Sequence, residues 1–406
     1  MIVYLIFPIV FASVNVSCRF LKNERLRHLL CSLIPAVLLF FLLGFKASTV
    51  GVDTKAYLNA YYDLKEIPFF PNPTFFPSLL AYNFSGEYGF IFFAQLFAKT
   101  GLPYLFFQLF VYGVICFCLF FSTWKLSKNP IASYLIFFCF TFFNFYVSGL
   151  RQSFAMSLCL LAISIIIDGG RTPIRNMLYF LFVGIAIFWH KSALIFLLSY
   201  FLIGVRIGLK GMIVLTFVSL FLYIFGAEMY EIIDAIANSL FASNYSAYAP
   251  FSSGKGLTSI LLIIMIVFSY FVCTPSKAKS AIAYFFDNKV PVTRNFKSQS
   301  SEIECYNLEI VTNKNDYFSF YIIMTFIGVW LLFTNRFSIA FGRIGMYYSI
   351  FIIFLLPNAI EKINNKRTKD LVEITLFVSF FLYFIYTAVL TNYLGIGPYR
   401  LFEGTF

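Results

Sequence analysis

Four short polar clusters interrupt an otherwise apolar sequence, and their residue types suit chemistry on an anionic, sugar-bearing substrate. The first is Ser148-Gly149-Leu150-Arg151-Gln152. Gly149 lets the chain turn, and Arg151 then opens a helix. A cation at a helix N-terminus is mildly disfavoured by the macrodipole. That cost disappears if an anion binds there, held by free backbone N–H groups and the guanidinium together. The plainer alternative is an arginine reaching out to a membrane interface. The second cluster is His190-Lys191-Ser192, between two apolar runs. The chain has two histidines, and His28 stands among basic residues that set topology. His190 stands apart from them, where a neutral imidazole can act as a general base near pH 7, or can serve structure alone.

The third cluster runs from Asn335-Arg336 through Arg343 to Tyr347. On a helix, Arg336 and Arg343 lie two turns apart on one face, and Arg343 and Tyr347 are neighbours. Phosphate binding and interfacial anchoring are the two readings of these arginines. The fourth is Gly51-Val52-Asp53-Thr54, followed by Tyr57, Tyr61 and Tyr62. Asp53, Tyr57 and Tyr61 share one helical face, setting a carboxylate beside aromatic rings. Carbohydrates suit that combination, although tyrosine is also an ordinary residue of the interfacial belt.

The elements that must position these clusters are membrane helices. Of 406 residues, 60% are hydrophobic and 12% charged, roughly half the charge of a soluble domain. Twelve apolar runs can be read, over 2–17, 29–45, 103–122, 130–149, 152–167, 176–189, 192–205, 211–226, 257–273, 317–334, 345–360 and 371–391. The short runs 176–189 and 192–205 could instead form a hairpin that penetrates only partly. Strand alternation is missing, and an open sheet edge cannot face lipid. The expected fold class is therefore an all-α polytopic membrane protein, a single transmembrane domain over 1–406 with about twelve helices. Outer loops are expected at 46–102 and 227–256, and a flexible inner insertion at 274–316.

Orientation follows from Lys and Arg. With the N-terminus outside, the inner segments hold 20 of the 30 basic residues, as the positive-inside rule requires. The start Met1-Ile2-Val3 lacks a positive leader segment, which argues against a cleaved signal peptide. The net charge of +12 is read as this topological signal, and nucleic-acid binding is not expected. All eight cysteines fall in helices or on the inner side, and Cys116-x-Cys118 has the wrong spacing for zinc. No Asp-x-Asp, His-Glu-x-x-His or Walker-type loop occurs, so neither a metal nor a cofactor is expected. In this topology Asp53, Arg151, Gln152, His190, Arg336 and Arg343 all face outside, where a lipid-linked anionic substrate would be presented.

Taken in order, Gly51-Val52-Asp53-Thr54 with Tyr57 and Tyr61, Gly149-Leu150-Arg151-Gln152-Ser153, His190-Lys191-Ser192-Ala193, and Arg343 with Tyr347 and the late Pro357 resemble the EpsG family. The likeness covers about residues 20–205 and 317–400. Its members serve exopolysaccharide, capsule and O-antigen assembly and are similar in role to Wzy polymerases. The resemblance implies a GT-C-like bundle in the bacterial inner membrane, with its site facing the periplasm. It further implies transfer of a glycan from undecaprenyl pyrophosphate to the non-reducing end of another lipid-linked repeat unit. Membrane lipid and a chain-length regulator protein would be partners. Arg151 and Arg343, with Arg336, would neutralise the pyrophosphate leaving group. His190 or Asp53 would handle the acceptor hydroxyl, and Gln152, Tyr57 and Tyr347 would position sugar or phosphate. Two other classes remain open on the residues alone: a lipid-linked oligosaccharide flippase, and an O-antigen ligase or acyltransferase.

Overall fold

In hydrocarbon every backbone N–H and C=O must find its partner within its own segment, so long apolar runs become helices. The computed structural model bears this out over residues 2–67, 87–241, 257–273, 317–334 and 339–402, with backbone alone described at 226–241, 257, 334, 339 and 340. Among these residues the chain is helical, with one isolated bridge between Lys46 and Leu401. Insertion 274–316 lies outside the described residues, as do Arg336 and residues 242–256 of the expected outer loop 227–256. The start of that loop is helical as far as Phe241.

Two compact units emerge, Met1–Phe201 with Asn365–Phe406, and Leu202–Asn364. The first contains α1 (Ile2–Cys18), α2 (Glu24–Gly44), α3 (Thr54–Glu66), α4 (Tyr88–Lys99), α5 (Tyr104–Leu126), α6 (Pro130–Cys139), α7 (Thr141–Ser148), α8 (Leu150–Gly169) and α9 (Pro173–Trp189). A 3₁₀ turn (Lys191–Leu197) then leads into α10 (Leu198–Leu202). The second unit holds α11 (Leu209–Phe241), α12 (Leu257–Cys273), α13 (Phe318–Thr334), α14 (Ile339–Ser349) and α15 (Ile352–Ile360). The chain returns to the first unit with α16 (Lys366–Phe384).

Helix starts follow local chemistry. Asn23 accepts from Leu26 N and Asn365 from Thr368 N, each at 3.1 Å. Asn129 and Thr172 cap α6 and α9, each with proline as the next residue. The run 130–149 is not one straight helix. Extended backbone at Phe140 breaks it, and α6 and α7 meet at 68°.

Among the described residues, five helices are long and apolar enough to cross a membrane, or up to six if the bent pair counts as one span. The expected count of about twelve crossings is therefore not confirmed. Most of the remaining apolar runs form shorter helices of 10–17 residues, and the run 211–226 lies within the 33-residue α11. The run 176–189 and the run after it do turn back on each other, since Arg171, ahead of α9, reaches both the carbonyl and the ring of Tyr200 in α10.

The first unit has two distinct ends. At one, Lys125 near the end of α5 pairs with Asp168 near the end of α8 at 2.9 Å. His28, in the first turns of α2, meets Trp124 O at 2.9 Å there. Helices α5 and α8 thus run parallel, and their N-termini both lie at the opposite end. That second end also receives the end of α2, all of α3 and the end of α9. The C-terminal segment straps it. Ala47 N donates to Arg400 O at 2.8 Å, Phe402 N to Phe45 O at 2.8 Å, and Gly51 N to Gly395 O at 2.9 Å. The Tyr4 hydroxyl ties α1 to the same strap through Ile396 O, and the Tyr399 hydroxyl ties the strap to α2 through Leu42 O. Gly51 is required here. Its φ of +93° disfavours a side chain, and a Cβ would fall 2.9 Å from Val147 O.

In the second unit α13 and α14 cross at Gly328, where a Cβ would lie 2.2 Å from Ser349 N. Trp330 Nε1 donates to Ser219 Oγ at 2.7 Å, joining α13 to α11.

Candidate functional site

The strapped end of the first unit is where three of the four sequence-predicted clusters meet, those of Asp53, Arg151 and His190. Loop 45–53 is held from beneath by Lys46, whose buried ammonium donates to Val50 O at 3.0 Å and to Thr54 Oγ1 at 2.7 Å. Burial pushes the Lys46 pKa down to about 7. Gln108 of α5 fixes the same turn by donating to Gly44 O and Lys46 O at 2.8 and 2.9 Å. Asp53 occupies the N-cap position of α3 without capping it through its side chain. Its backbone N–H donates to Ser148 Oγ at 3.3 Å, which sets it against the start of α8.

One turn along α3, Tyr57 is buried, with its ring 5.5 Å from the guanidinium carbon of Arg151. Phe90 flanks both, 5.6 Å from Tyr57 and 5.8 Å from Arg151. The guanidinium therefore lies among aromatic faces, which favour a cation through their quadrupoles.

Arg151 opens α8 as expected, and an anion does compensate it. That anion is the carboxylate of Glu87, which belongs to the protein itself. Glu87 Oε2 accepts from Arg151 Nη1, and its Oε1 meets His190 Nδ1. One carboxylate thus joins two elements far apart in sequence. All three side chains are largely enclosed, at 10% exposure for Glu87, 17% for Arg151 and 15% for His190. Burial alone would raise the Glu87 pKa. The hydrogen bond from His190 and the positive charges of His190 and Arg151 outweigh it, leaving the carboxyl below its ordinary value.

The local fold explains the approach. His190 ends α9, its N–H bonded to Ala186 O at 2.8 Å. The preceding Trp189 stacks on Phe154 of α8 at 3.9 Å and touches Phe93 of α4 at 5.4 Å. Helix α4 begins against that same corner. A Cβ on Gly89 would lie 2.9 Å from both the carbonyl carbon and the oxygen of Phe188. Only glycine allows the backbone bearing Glu87 to come so close to the end of α9.

Of the sequence-predicted residues, Tyr57, Arg151 and His190 thus converge, with Asp53 one turn from Tyr57. Gln152 is buried in α8, its Nε2 3.8 Å from Met156 Sδ. Arg343 and Tyr347 lie one turn apart on α14 in the second unit, Arg343 exposed and Tyr347 buried. His190 is not the isolated imidazole that its sequence context suggested.

Glu87 was missed. It sits in what reads as a featureless outer loop, next to an apolar run. A signal existed, because Glu87 is the only acidic residue between Glu66 and Asp168. A lone acid amid a hundred mostly apolar residues has to be paired or solvated.

An all-helical membrane protein with a buried carboxylate, guanidinium and imidazole at one end of its bundle is equipped for proton transfer and anion recognition. The chain belongs to the EpsG family, whose model matches residues 29–401. That membership makes it an exopolysaccharide polymerase-like membrane protein of polysaccharide biosynthesis. No curated protein and no solved structure matches it.

Proposed function

We propose that the protein is a metal-independent glycosyltransferase of the Wzy type, with a GT-C-like bundle, that polymerises lipid-linked repeat units at the periplasmic face of the bacterial inner membrane. The observation that carries this reading is the convergence of Arg151 and His190 on one carboxylate at a single end of the helix bundle, in an EpsG family member.

In the reaction, a hydroxyl oxygen on the non-reducing sugar of the acceptor unit attacks the anomeric carbon of the donor glycan. The bond from that carbon to the undecaprenyl diphosphate breaks, and its electron pair leaves with the diphosphate. The hydroxyl proton passes to His190, or to Asp53 if His190 only orients the acceptor. Charge building on the leaving diphosphate is met by Arg151, whose guanidinium presents its N–H donors in a planar fork. Tyr57 would position sugar or phosphate from its buried place beside Arg151. Gln152 contributes from within α8. For Arg336, Arg343 and Tyr347 the support is the family motif order, together with the exposed position of Arg343. A chain-length regulator protein would act from outside the chain.

The glycan profile of a deletion strain tests the class. Single repeat units on an otherwise intact carrier fit a polymerase; loss of all surface glycan points to a flippase instead. In a purified assay on the strain's own undecaprenyl-diphosphate-linked repeat unit, Arg151→Lys should lose most activity although the charge remains, because an ammonium lacks the planar fork. Wild-type chain length with Arg151→Lys would remove bidentate recognition from the mechanism.

A further inference from the structure

We infer that Glu87 is a positioning residue: by accepting the Nδ1 proton of His190 while Arg151 holds its other oxygen, it presents His190 Nε2 as the base for glycosyl transfer. The inference rests on the reading of His190 as that base.

Both carboxylate oxygens are committed, Oε1 to His190 and Oε2 to Arg151. The group therefore cannot rotate away from either partner without losing a charge-assisted hydrogen bond. An ionised carboxylate only accepts, so the hydrogen between Oε1 and Nδ1 belongs to the imidazole. A neutral imidazole with its hydrogen on Nδ1 has its lone pair on Nε2. The two partners outweigh the cost of burial and favour the ionised state, in agreement with the lowered Glu87 pKa.

The same contact assists the reaction itself. When Nε2 takes the acceptor's hydroxyl proton, the ring becomes an imidazolium beside an ionised carboxylate in a partly enclosed site. As the acceptor oxygen bonds to the anomeric carbon, its proton moves to Nε2, the bond from that carbon to the diphosphate breaks with its electron pair leaving on the diphosphate, and Glu87 remains ionised throughout. Arg151 helps by keeping the carboxylate from being protonated or turning aside. Three packing features fix the geometry: the Gly89–Phe188 approach, the Trp189–Phe154 stack, and Phe90 against Tyr57 and Arg151. Orientation of a histidine by a buried carboxylate is a general device for setting its tautomer.

The test has two arms. The first follows carbethoxylation of His190 by diethyl pyrocarbonate against pH, in a His28→Gln background, and needs no polymerase activity. The midpoint of reactivity should move to lower pH by on the order of one unit in Glu87→Gln, because the nearby negative charge is gone. Glu87→Asp, which keeps the charge, should stay near the unsubstituted midpoint. The second arm measures polymerisation. Glu87→Gln should lower kcat about 10- to 1000-fold, with little change in KM, and should move the acid limb of the pH profile in the same direction. An unchanged carbethoxylation midpoint in Glu87→Gln overturns the inference, whatever happens to activity. If the midpoint moves but His190→Gln polymerises at the unsubstituted rate, the base reading fails while the Glu87–His190 contact stands.

Discussion

The two ends of the first unit hold charges in different ways. At the end bearing Lys125 and Asp168, the ion pair is partly open to solvent, with side-chain exposures of 25% and 42%. The Arg27–Glu24 pair of α2 is looser still, at 3.6 Å and 40% and 85% exposed. Such pairs contribute little to stability, about 0–1 kcal/mol, because water screens them. In membrane proteins the number and sign of such exposed charges orient helices across the bilayer. At the strapped end, Glu87, Arg151, His190 and Lys46 are enclosed. Each enclosed charge carries a desolvation cost that only well-aimed partners offset. The contrast separates charges that set topology from charges that geometry selects. Buried acid–base clusters are where perturbed protonation and function meet.

Three substitutions probe this contrast, beginning where the largest effect is expected. Gly89→Ala puts a methyl group into the backbone of Phe188, which cannot swing aside as a flexible side chain could. Overpacking of this kind costs about 1–3 kcal/mol, and here it also pushes Glu87 away from His190. A lowered melting temperature in detergent and at least about tenfold loss of polymerisation are expected, since small misplacements of catalytic groups carry large rate penalties. Wild-type activity in Gly89→Ala would mean the close approach does not set the site.

The next probe is Lys46. Its folded pKa of about 7 lies below the ordinary 10.5, so between these values the unfolded chain binds more protons than the folded one. Stability should therefore climb as pH rises from about 7 towards 10.5, by up to about 1.4 kcal/mol per pH unit, and lie on its lower plateau below that window. Thermal unfolding in detergent at pH 6.5, 7.5 and 8.5 should show the rise in the native protein. Lys46→Met should flatten it, since the methionine has nothing to titrate. The smallest effect belongs to the exposed end. Lys125→Ala should change the melting temperature and the polymer length hardly at all, and a loss of activity comparable to Gly89→Ala would erase the distinction between the two ends.

Much of this architecture is legible in composition and pattern. Apolar runs with Asn or Thr before them and Pro at their start are enough to place most helices, because lipid leaves the backbone no other way to satisfy its hydrogen bonds. The motif order identifies the family, and single residues such as Arg151 and His190 stand out because charge is scarce in such a chain. The break at Phe140 was not legible, since no proline or glycine marks it. The number of crossings was not either, because a run of 10–17 apolar residues can span, bend or turn back, and only its neighbours decide which.

The sequence by itself determined that the chain is a helical membrane protein and that Tyr57, Arg151 and His190 are chemically unusual in it. Only the tertiary structure decided that these residues share one carboxylate. Glu87 lies 64 residues from Arg151 and 103 from His190 in the chain. Their meeting depends on a glycine at α4 that permits contact with the end of α9, and on an indole wedged between α8 and α4. Local sequence carries propensity and periodicity over a few turns. A contact across three helices is a property of their packing, which no single segment encodes.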